Sequence, residues 1–280
     1  MKTGTRIAGF AVVLAAALGI GAGVGAAVGP APTRLAAMEA VPIGEGVVST
    51  ADGYRLVPST RTLPAVGGMY RFVVDGPDGG RVHAFTALHE RMLHLIVVNS
   101  QLTVYHHVHP VLAPDGTWSV ALAAMPPGSY RAVADFQVTD GPRLALGADL
   151  AVPGDFQPTE IPAPSTVAAI DGYRITIGTS AKAGGELTVS LTVRKRGRLV
   201  TDLQPYLGAS GHLVAMRAAD LAYAHVHPLG YNAGTVTFDA TFAAQGRYRL
   251  FFDFKHAGVV RTAAFTFDQD VVTGAPTMEH

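Results

Sequence analysis

Cysteine is missing altogether from this chain of 280 residues. Its absence excludes disulfides, thiolate metal sites, cysteine nucleophiles and lipid attachment of the lipoprotein kind. Any metal site must therefore be built from histidine, carboxylate or methionine side chains.

Charge is scarce and balanced, because charged residues make up 15% of the chain and its 21 basic and 21 acidic residues cancel. Nothing in the sequence forms the basic stripe of a nucleic-acid-binding surface, so we expect no nucleic-acid partner. Apolar residues make up 49% of the chain, which is typical of a protein that folds around a core.

The common catalytic motifs are also missing. The chain holds no Gly-x-Ser-x-Gly, no phosphate-binding loop and no His-Glu-x-x-His. A zinc or copper ion held by three histidines with an open position can activate water, and this is the one enzymatic alternative. We therefore expect a protein that is not an enzyme.

An uncharged segment near the N-terminus, Ile7 to Val28, follows Lys2 and Arg6 and ends before Pro30. Its length matches a bilayer span, whereas its many small residues also suit a cleaved signal peptide. In both cases the basic residues stay in the cytoplasm and the rest of the chain is exported. We expect a single-pass cell-membrane protein with its C-terminal domains outside the cytoplasm; the alternative is a secreted protein.

Beyond this segment, short β-rich runs are separated by clusters of Gly, Pro and Asp, and no long helical pattern occurs. This pattern predicts an all-β protein with two tandem immunoglobulin-like or cupredoxin-like β-sandwich domains after an N-terminal apolar helix. The predicted segments are a signal-anchor (1–29), a linker (30–50), repeat 1 (51–153), a proline-rich linker (154–166), repeat 2 (167–270) and a tail (271–280).

One histidine-bearing stretch is written twice, from His94 to Pro110 and again from His212 to Pro228, at a constant offset of 118 residues. Three histidines occupy the same positions in both copies: His94, His107 and His109 in the first, and His212, His225 and His227 in the second. This match indicates a duplicated metal site, although duplication also copies histidines that serve only packing.

The spacing within each stretch favours convergence of the three imidazoles. Residues two apart on a strand point to the same face, so His107 and His109 project together, as do His225 and His227. The first histidine of each stretch, His94 or His212, lies on the preceding strand of a predicted hairpin.

Hairpin register decides whether this third imidazole joins the pair. With a two-residue turn at Ser100-Gln101, His94 falls opposite His107, and a shift by two residues places it opposite His109. Both registers keep the cluster on one face. A slip of one residue sends His94 to the other face and destroys the cluster.

Two aspartates and one methionine could complete such a site. Asp135 and Asp253 stand at matched positions and could supply a fourth ligand, a hydrogen bond to a ligating ring, or ordinary ion pairs. Met92 precedes His94 by two residues and could add a soft ligand for reduced copper. Three neutral imidazoles suit Cu²⁺ or Zn²⁺, so we expect copper as the cofactor, with zinc as the alternative.

Several motifs carry a resemblance to a known family: His107-Val-His109-Pro110 with its copy, Leu203–Ala209 followed by Gly211–Val214, Gly246–Phe254 and Gly258–Phe265. On these motifs the chain resembles bacterial membrane-anchored or secreted extracytoplasmic two-repeat proteins that are loosely described as heavy-metal-binding. The resemblance covers nearly the whole chain and implies export. Ser210 departs from it, because the family tends to carry methionine or a similar residue there.

The leading hypothesis is an extracytoplasmic protein that binds copper for sequestration or delivery, with one three-histidine site per repeat. The alternative is a non-catalytic structural or interaction module whose histidines are structural. The expected partners are a metal ion, the membrane through the N-terminal helix, and an extracytoplasmic protein of unknown identity.

Overall fold

Two β-sandwiches in tandem make up the part of the chain that the computed structural model describes, residues 45–181, 187–224, 226–242 and 244–270. Every regular element in these ranges is a strand. No helix there is long and apolar enough to cross a membrane. The prediction of an all-β, two-repeat fold is confirmed, whereas the predicted anchor, the tail and His225 lie outside the described residues.

The first sandwich contains β1 (Thr50–Ala51), β2 (Tyr54–Pro58), β3 (Gly68–Asp75), β4 (Phe85–Thr86), β5 (Leu93–Asn99), β6 (Tyr105–Val108), β7 (Val111–Leu112), β8 (Trp118–Leu122), β9 (Gly128–Val138) and β10 (Arg143–Val152). One sheet has the order β1-β2-β3-β8-β7, and the other has the order β10-β9-β5-β6, with β4 also paired to β9. All of the pairings are antiparallel, so each strand can turn one face to the core.

The second sandwich contains β11 (Val167–Ile170), β12 (Tyr173–Ala181), β13 (Leu187–Lys195), β14 (Arg198–Leu199), β15 (His212–Arg217), β16 (Tyr223–Ala224), β17 (Val226–Asn232), β18 (Thr235–Ala240), β19 (Gly246–His256) and β20 (Val259–Gln269). Its sheets have the orders β11-β12-β13-β18-β17, with β14 paired to β13, and β16-β15-β19-β20. The strand order of the first sandwich is thus repeated.

Each sandwich closes around an aromatic core of its own. In the first, Trp118 lies 6.4 Å from Phe72 and 5.0 Å from Phe85 between ring centroids. In the second, Phe252 lies 6.0 Å from Phe238 and 5.5 Å from Phe254. These rings come from both sheets of their sandwich, and their burial is the main stabilising term of each repeat.

A tyrosine fixes an equivalent corner in each sandwich. The Tyr130 hydroxyl donates to the Pro126 carbonyl at 2.6 Å, and the Tyr248 hydroxyl donates to the Ala244 carbonyl at 2.8 Å. This bond to the backbone a few residues upstream resembles the tyrosine corner of immunoglobulin-type sandwiches.

The sheets that carry β5 and β15 are buried on both faces, because the two repeats pack against each other there. Leu93, Leu95 and Val97 belong to the core of repeat 1. Ile96 and Val98 point the other way. They join a separate apolar cluster that also includes Val133 of repeat 1 and Val214, Met216 and Phe251 of repeat 2. The histidine-bearing strands therefore line an interface between the repeats.

The last residues of the predicted first linker take part in this interface. Glu45 accepts a hydrogen bond from the Tyr223 amide at 2.7 Å, and the Gly46 amide donates to the Ala145 carbonyl at 2.9 Å. The backbone of Gly46 runs directly against Gly147, where any side chain would collide with the Gly46 carbonyl. Part of segment 30–50 is thus bound to both repeats rather than free.

Candidate metal centre

The β5–β6 hairpin sets the first histidine cluster. Ile96 pairs with His107 and Leu95 with Val108, and continuing this register places His94 opposite His109. Of the two registers that keep the cluster together, the one shifted by two residues is found, and the two-residue turn is not. All three rings consequently share the face of the hairpin that points to repeat 2.

The asparagine at the end of β5 explains the wider turn. The side-chain oxygen of Asn99 accepts hydrogen bonds from the Thr103 and Val104 amides, both at 2.8 Å. These bonds replace those of a tight two-residue turn. Leu102, with a left-handed φ of 52°, turns its side chain into the apolar cluster between the repeats and is fully buried.

The spacing of the three rings matches that of ligands around one ion. Their centroids lie 5.3 Å apart for His94 and His107, and 4.9 Å from His109 to each of the other two. One nitrogen from each ring lies within 4.8 Å of the other two. Imidazoles on a tetrahedral ion with bonds of about 2.0–2.1 Å have centroids roughly 5 Å apart.

Hydrogen bonds on the outer sides of two rings fix which nitrogens face inward. His94 Nε2 lies 2.9 Å from the Leu88 carbonyl, which can only accept, so Nε2 carries the proton. His107 Nδ1 lies 2.9 Å from the Asp253 carboxylate and likewise donates. Such outer partners commonly orient metal-binding histidines.

The two inward nitrogens then meet without a proton of their own. His94 Nδ1 and His107 Nε2 are 3.0 Å apart. If both rings are neutral, two lone pairs point at each other, which is repulsive unless a cation lies between or beside them. Either one additional proton between the two nitrogens or a metal ion resolves this contact.

The third ring, His109, has a nitrogen without a hydrogen-bond partner. His109 Nε2 is buried and has no hydrogen-bond partner among the described residues. Burial, helped by the neighbouring histidines, lowers the pKa of His109 to about 3. Burial is also the largest cause that lowers the pKa of His94 to about 4. At neutral pH both rings are therefore uncharged and keep a lone pair for a metal.

The second repeat supports the cluster through Asp253. This carboxylate is buried and accepts from the Tyr105 hydroxyl at 2.9 Å, from His107 and from the Thr262 hydroxyl at 2.5 Å. Of the roles considered for Asp253, the hydrogen bond to a candidate ligand is the one found, and it crosses from one repeat to the other. The Tyr105 ring also stacks on Phe251 at 4.2 Å between centroids.

Asp135 of repeat 1 contacts repeat 2, just as Asp253 of repeat 2 contacts repeat 1, but its partners are different. It accepts from the Tyr223 hydroxyl of repeat 2 at 3.4 Å and forms an ion pair with Arg143 at 2.9 Å. The ion-pair alternative thus holds for Asp135. It lines a cavity of about 30 Å³ next to His94 and His107, together with Arg143.

Both repeats match the model of a single family. The chain matches the family described as "Domain of unknown function (DUF8832)" twice, over residues 49–152 and 167–271. The chain belongs to this family. No curated protein matches the chain.

Solved structures similar to this pair of DUF8832 repeats come from bacteria and animals. The FdeC adhesin of Escherichia coli is 11% identical with a TM-score of 0.28, over 78% of this chain and 64% of that chain. The bacterial integrin-binding protein invasin is 16% identical with a TM-score of 0.22, over 77% and 39%. The Ig1-2 module of the Drosophila receptor tyrosine phosphatase DLAR is 9% identical with a TM-score of 0.21, over 78% and 99%. The chain thus spans less than two thirds of the FdeC chain.

The second DUF8832 repeat does not form a matching cluster within the described residues. After Ala224 the chain crosses to the other sheet, where His227 pairs with Asp239 on β18 and is exposed. In the first repeat β6 continues to Val108 before that crossing. The expectation that His227 shares a face with His212 is wrong, and His225 lies outside the described residues.

His212 instead lies beside the cluster of the first DUF8832 repeat. Its ring centroid lies 6.0 Å from those of both His94 and His107. Its Nε2 lies 3.2 Å from the Leu207 carbonyl, much as His94 binds Leu88. Burial is the main cause that lowers the pKa of His212 to about 4.

Two more residues complete the account of the predicted site. Met92 is 43% exposed just before β5. His89, which the sequence gives as an unduplicated loop residue, lies 6.1 Å from His94 between ring centroids. In the sequence, only the short separation between His89 and His94 indicates that His89 could lie near the cluster.

Proposed function

We propose that this protein binds one transition-metal ion through His94, His107 and His109, at the interface of its two repeats. The observation that carries the proposal is the contact of 3.0 Å between His94 Nδ1 and His107 Nε2. Both nitrogens are left without a proton by the partners of their rings, Leu88 and Asp253. The buried, unpartnered Nε2 of His109 supports the same conclusion.

The donor set favours copper. Three imidazoles without a thiolate suit Cu²⁺ and Zn²⁺, and a given nitrogen site binds Cu²⁺ more tightly than Zn²⁺. We do not include Met92, which is 43% exposed, as a soft ligand for reduced copper. Copper is therefore the proposed ion, with zinc next.

The proposed role is sequestration or delivery of the ion outside the cytoplasm, not catalysis. The cavity beside the histidines, about 30 Å³, has room for only about two water molecules, so an organic substrate would not fit there. Export is proposed from the uncharged segment Ile7–Val28 behind Lys2 and Arg6.

A second function follows from the same contact if a proton rather than a metal resolves it. His94 and His107 would then share a proton, with His107 also bound to Asp253, and the cluster would lock the repeats together. The protein would be a non-catalytic interaction module. The two functions differ in one measurable property, the binding of metal.

Calorimetric titration of the purified protein with Cu²⁺ and with Zn²⁺ tests the proposal. We expect one ion per chain, because only the first repeat brings its three histidines together within the described residues. Two equivalent ions per chain would instead support one site per repeat. Absence of specific binding would leave the interaction module as the function.

A further inference from the structure

Two histidines lie beside the three-histidine set without belonging to it. The His212 ring is 6.0 Å from both His94 and His107, and His89 is 6.1 Å from His94. His89 and His212 are closer to each other, at 5.3 Å. Only this last distance approaches the roughly 5 Å that separates two rings on one ion. The five rings thus divide into a set of three and an adjacent pair.

A single cavity connects the pair with the three-histidine set. His89 and His212 line it together with His94 and His107. Its volume of about 30 Å³ would hold about two water molecules. An ion moving from the pair to the set would therefore meet nitrogen donors and space for water rather than a purely apolar barrier.

His89 occupies the outer side of this cavity. It is half-buried, whereas His94 and His212 are buried. His89 and Glu90 both adopt left-handed φ angles, 49° and 65°, in a turn closed by hydrogen bonds between Leu88 and Arg91. Such angles are uncommon outside glycine and cost free energy, so the turn holds this conformation against an intrinsic preference.

The same turn also holds a ligand of the inner set. The Leu88 carbonyl that accepts the His94 proton belongs to it. The equivalent turn of repeat 2, Tyr206 to Ala209, has the same pair of backbone hydrogen bonds. It carries Leu207 where the first has His89, and its Gly208 lies next to Glu90. The imidazole at the rim is thus a feature of repeat 1 alone.

We propose that His89 and His212 form a transfer position through which the metal ion reaches and leaves the three-histidine site. The inference rests on the proposed function. Each step is a ligand substitution: an incoming Cu²⁺ exchanges water for the two imidazoles, then exchanges these for His94, His107 and His109. No electron is transferred. Two ligands hold the ion less tightly than three, so uptake proceeds inward and a competing ligand removes the ion from the pair.

Exchange kinetics on the full chain test this proposal. Stopped-flow transfer of Cu²⁺ from the loaded protein to excess EDTA gives the release rate, and competition at equilibrium gives the affinity. For His89→Ala and for His212→Gln, we expect release and uptake to slow by about tenfold or more, with the affinity changed by less than about threefold. His83→Ala, which removes an exposed histidine elsewhere in repeat 1, is the matched control and should leave both quantities unchanged.

Three results are distinguishable. Unchanged exchange rates in His89→Ala would overturn the transfer position, and substitution of the half-buried His89 carries less risk of misfolding than substitution of the buried His212. An affinity loss beyond about tenfold would overturn it too, because both residues would then belong to the resident ligand set. If the unaltered protein binds no Cu²⁺, the proposed function itself fails, and the transfer position fails with it.

Discussion

The double substitution His107→Ala/His109→Ala lowers the affinity for Cu²⁺ by on the order of 10⁴-fold. The size of this loss follows from the binding free energy that each ligand contributes. Structural zinc sites with four ligands bind with about 10–16 kcal/mol, or roughly 3 kcal/mol per ligand. Removing two of three ligands therefore removes most of the binding free energy. Calorimetry with a competing chelator measures the change.

The control variant also loses two histidines. His83→Ala/His227→Ala removes two exposed histidines, one from each repeat, and should leave the affinity within about threefold of that of the unaltered protein. Circular dichroism of both variants checks that the sandwiches still form. An affinity that is unaffected by the loss of His107 and His109 would remove the first repeat as the site of binding.

Asp253→Ala destabilises the folded protein by about 3–5 kcal/mol, as expected when one partner of a buried polar pair is deleted. Asp253 is 2% exposed and accepts from His107, Tyr105 and Thr262. The substitution leaves these three donors without their acceptor, and two of them belong to the other repeat. Urea unfolding monitored by fluorescence gives the free energy of unfolding.

The same variant should also bind Cu²⁺ more weakly, by about 10–100-fold, because an outer hydrogen bond no longer orients His107. Asp268→Ala provides the matched control. Asp268 pairs with Arg247 at 2.8 Å on the surface, and loss of such an exposed pair costs at most about 1 kcal/mol. A free energy of unfolding that is equal for the two variants would contradict the supporting role of Asp253.

The strand content and the tandem repeat follow from the sequence because they depend on local patterns. Alternating apolar residues bounded by Gly, Pro and Asp mark strands such as β3, whose Tyr70, Phe72 and Val74 are buried while Met69 is exposed. The pairing of His107 with His109 on one face follows from the same period of two. These predictions need only neighbouring residues.

One feature of the sequence, the continuous apolar run of β5, indicates the interface between the repeats. β5 reads Leu-His-Leu-Ile-Val-Val-Asn, a continuous apolar run rather than an alternating one, and all of its residues are buried. Such runs are typical of strands that are covered on both faces. The sequence alone does not show what covers the second face, so it could not place Asp253 or His212 of repeat 2 against the first cluster.

The second histidine stretch forms no matching cluster among the described residues, and this difference has another cause. The stretches that start at His94 and His212 are matched without a gap, yet β6 runs to Val108 whereas β16 ends at Ala224. The point at which a strand leaves one sheet for the other depends on contacts that are distant in sequence. Duplicated residues therefore need not have duplicated surroundings, and His227 moves to an exposed edge strand.

Anomalous diffraction from crystals of the protein grown with Cu²⁺ tests the central claim most directly. We expect a single peak at the copper absorption edge within about 2.0–2.1 Å of a nitrogen from each of His94, His107 and His109. His107 Nδ1 should remain on Asp253. No peak at these nitrogens, with His94 Nδ1 and His107 Nε2 still 3.0 Å apart, would contradict the claim and assign the cluster to packing between the repeats.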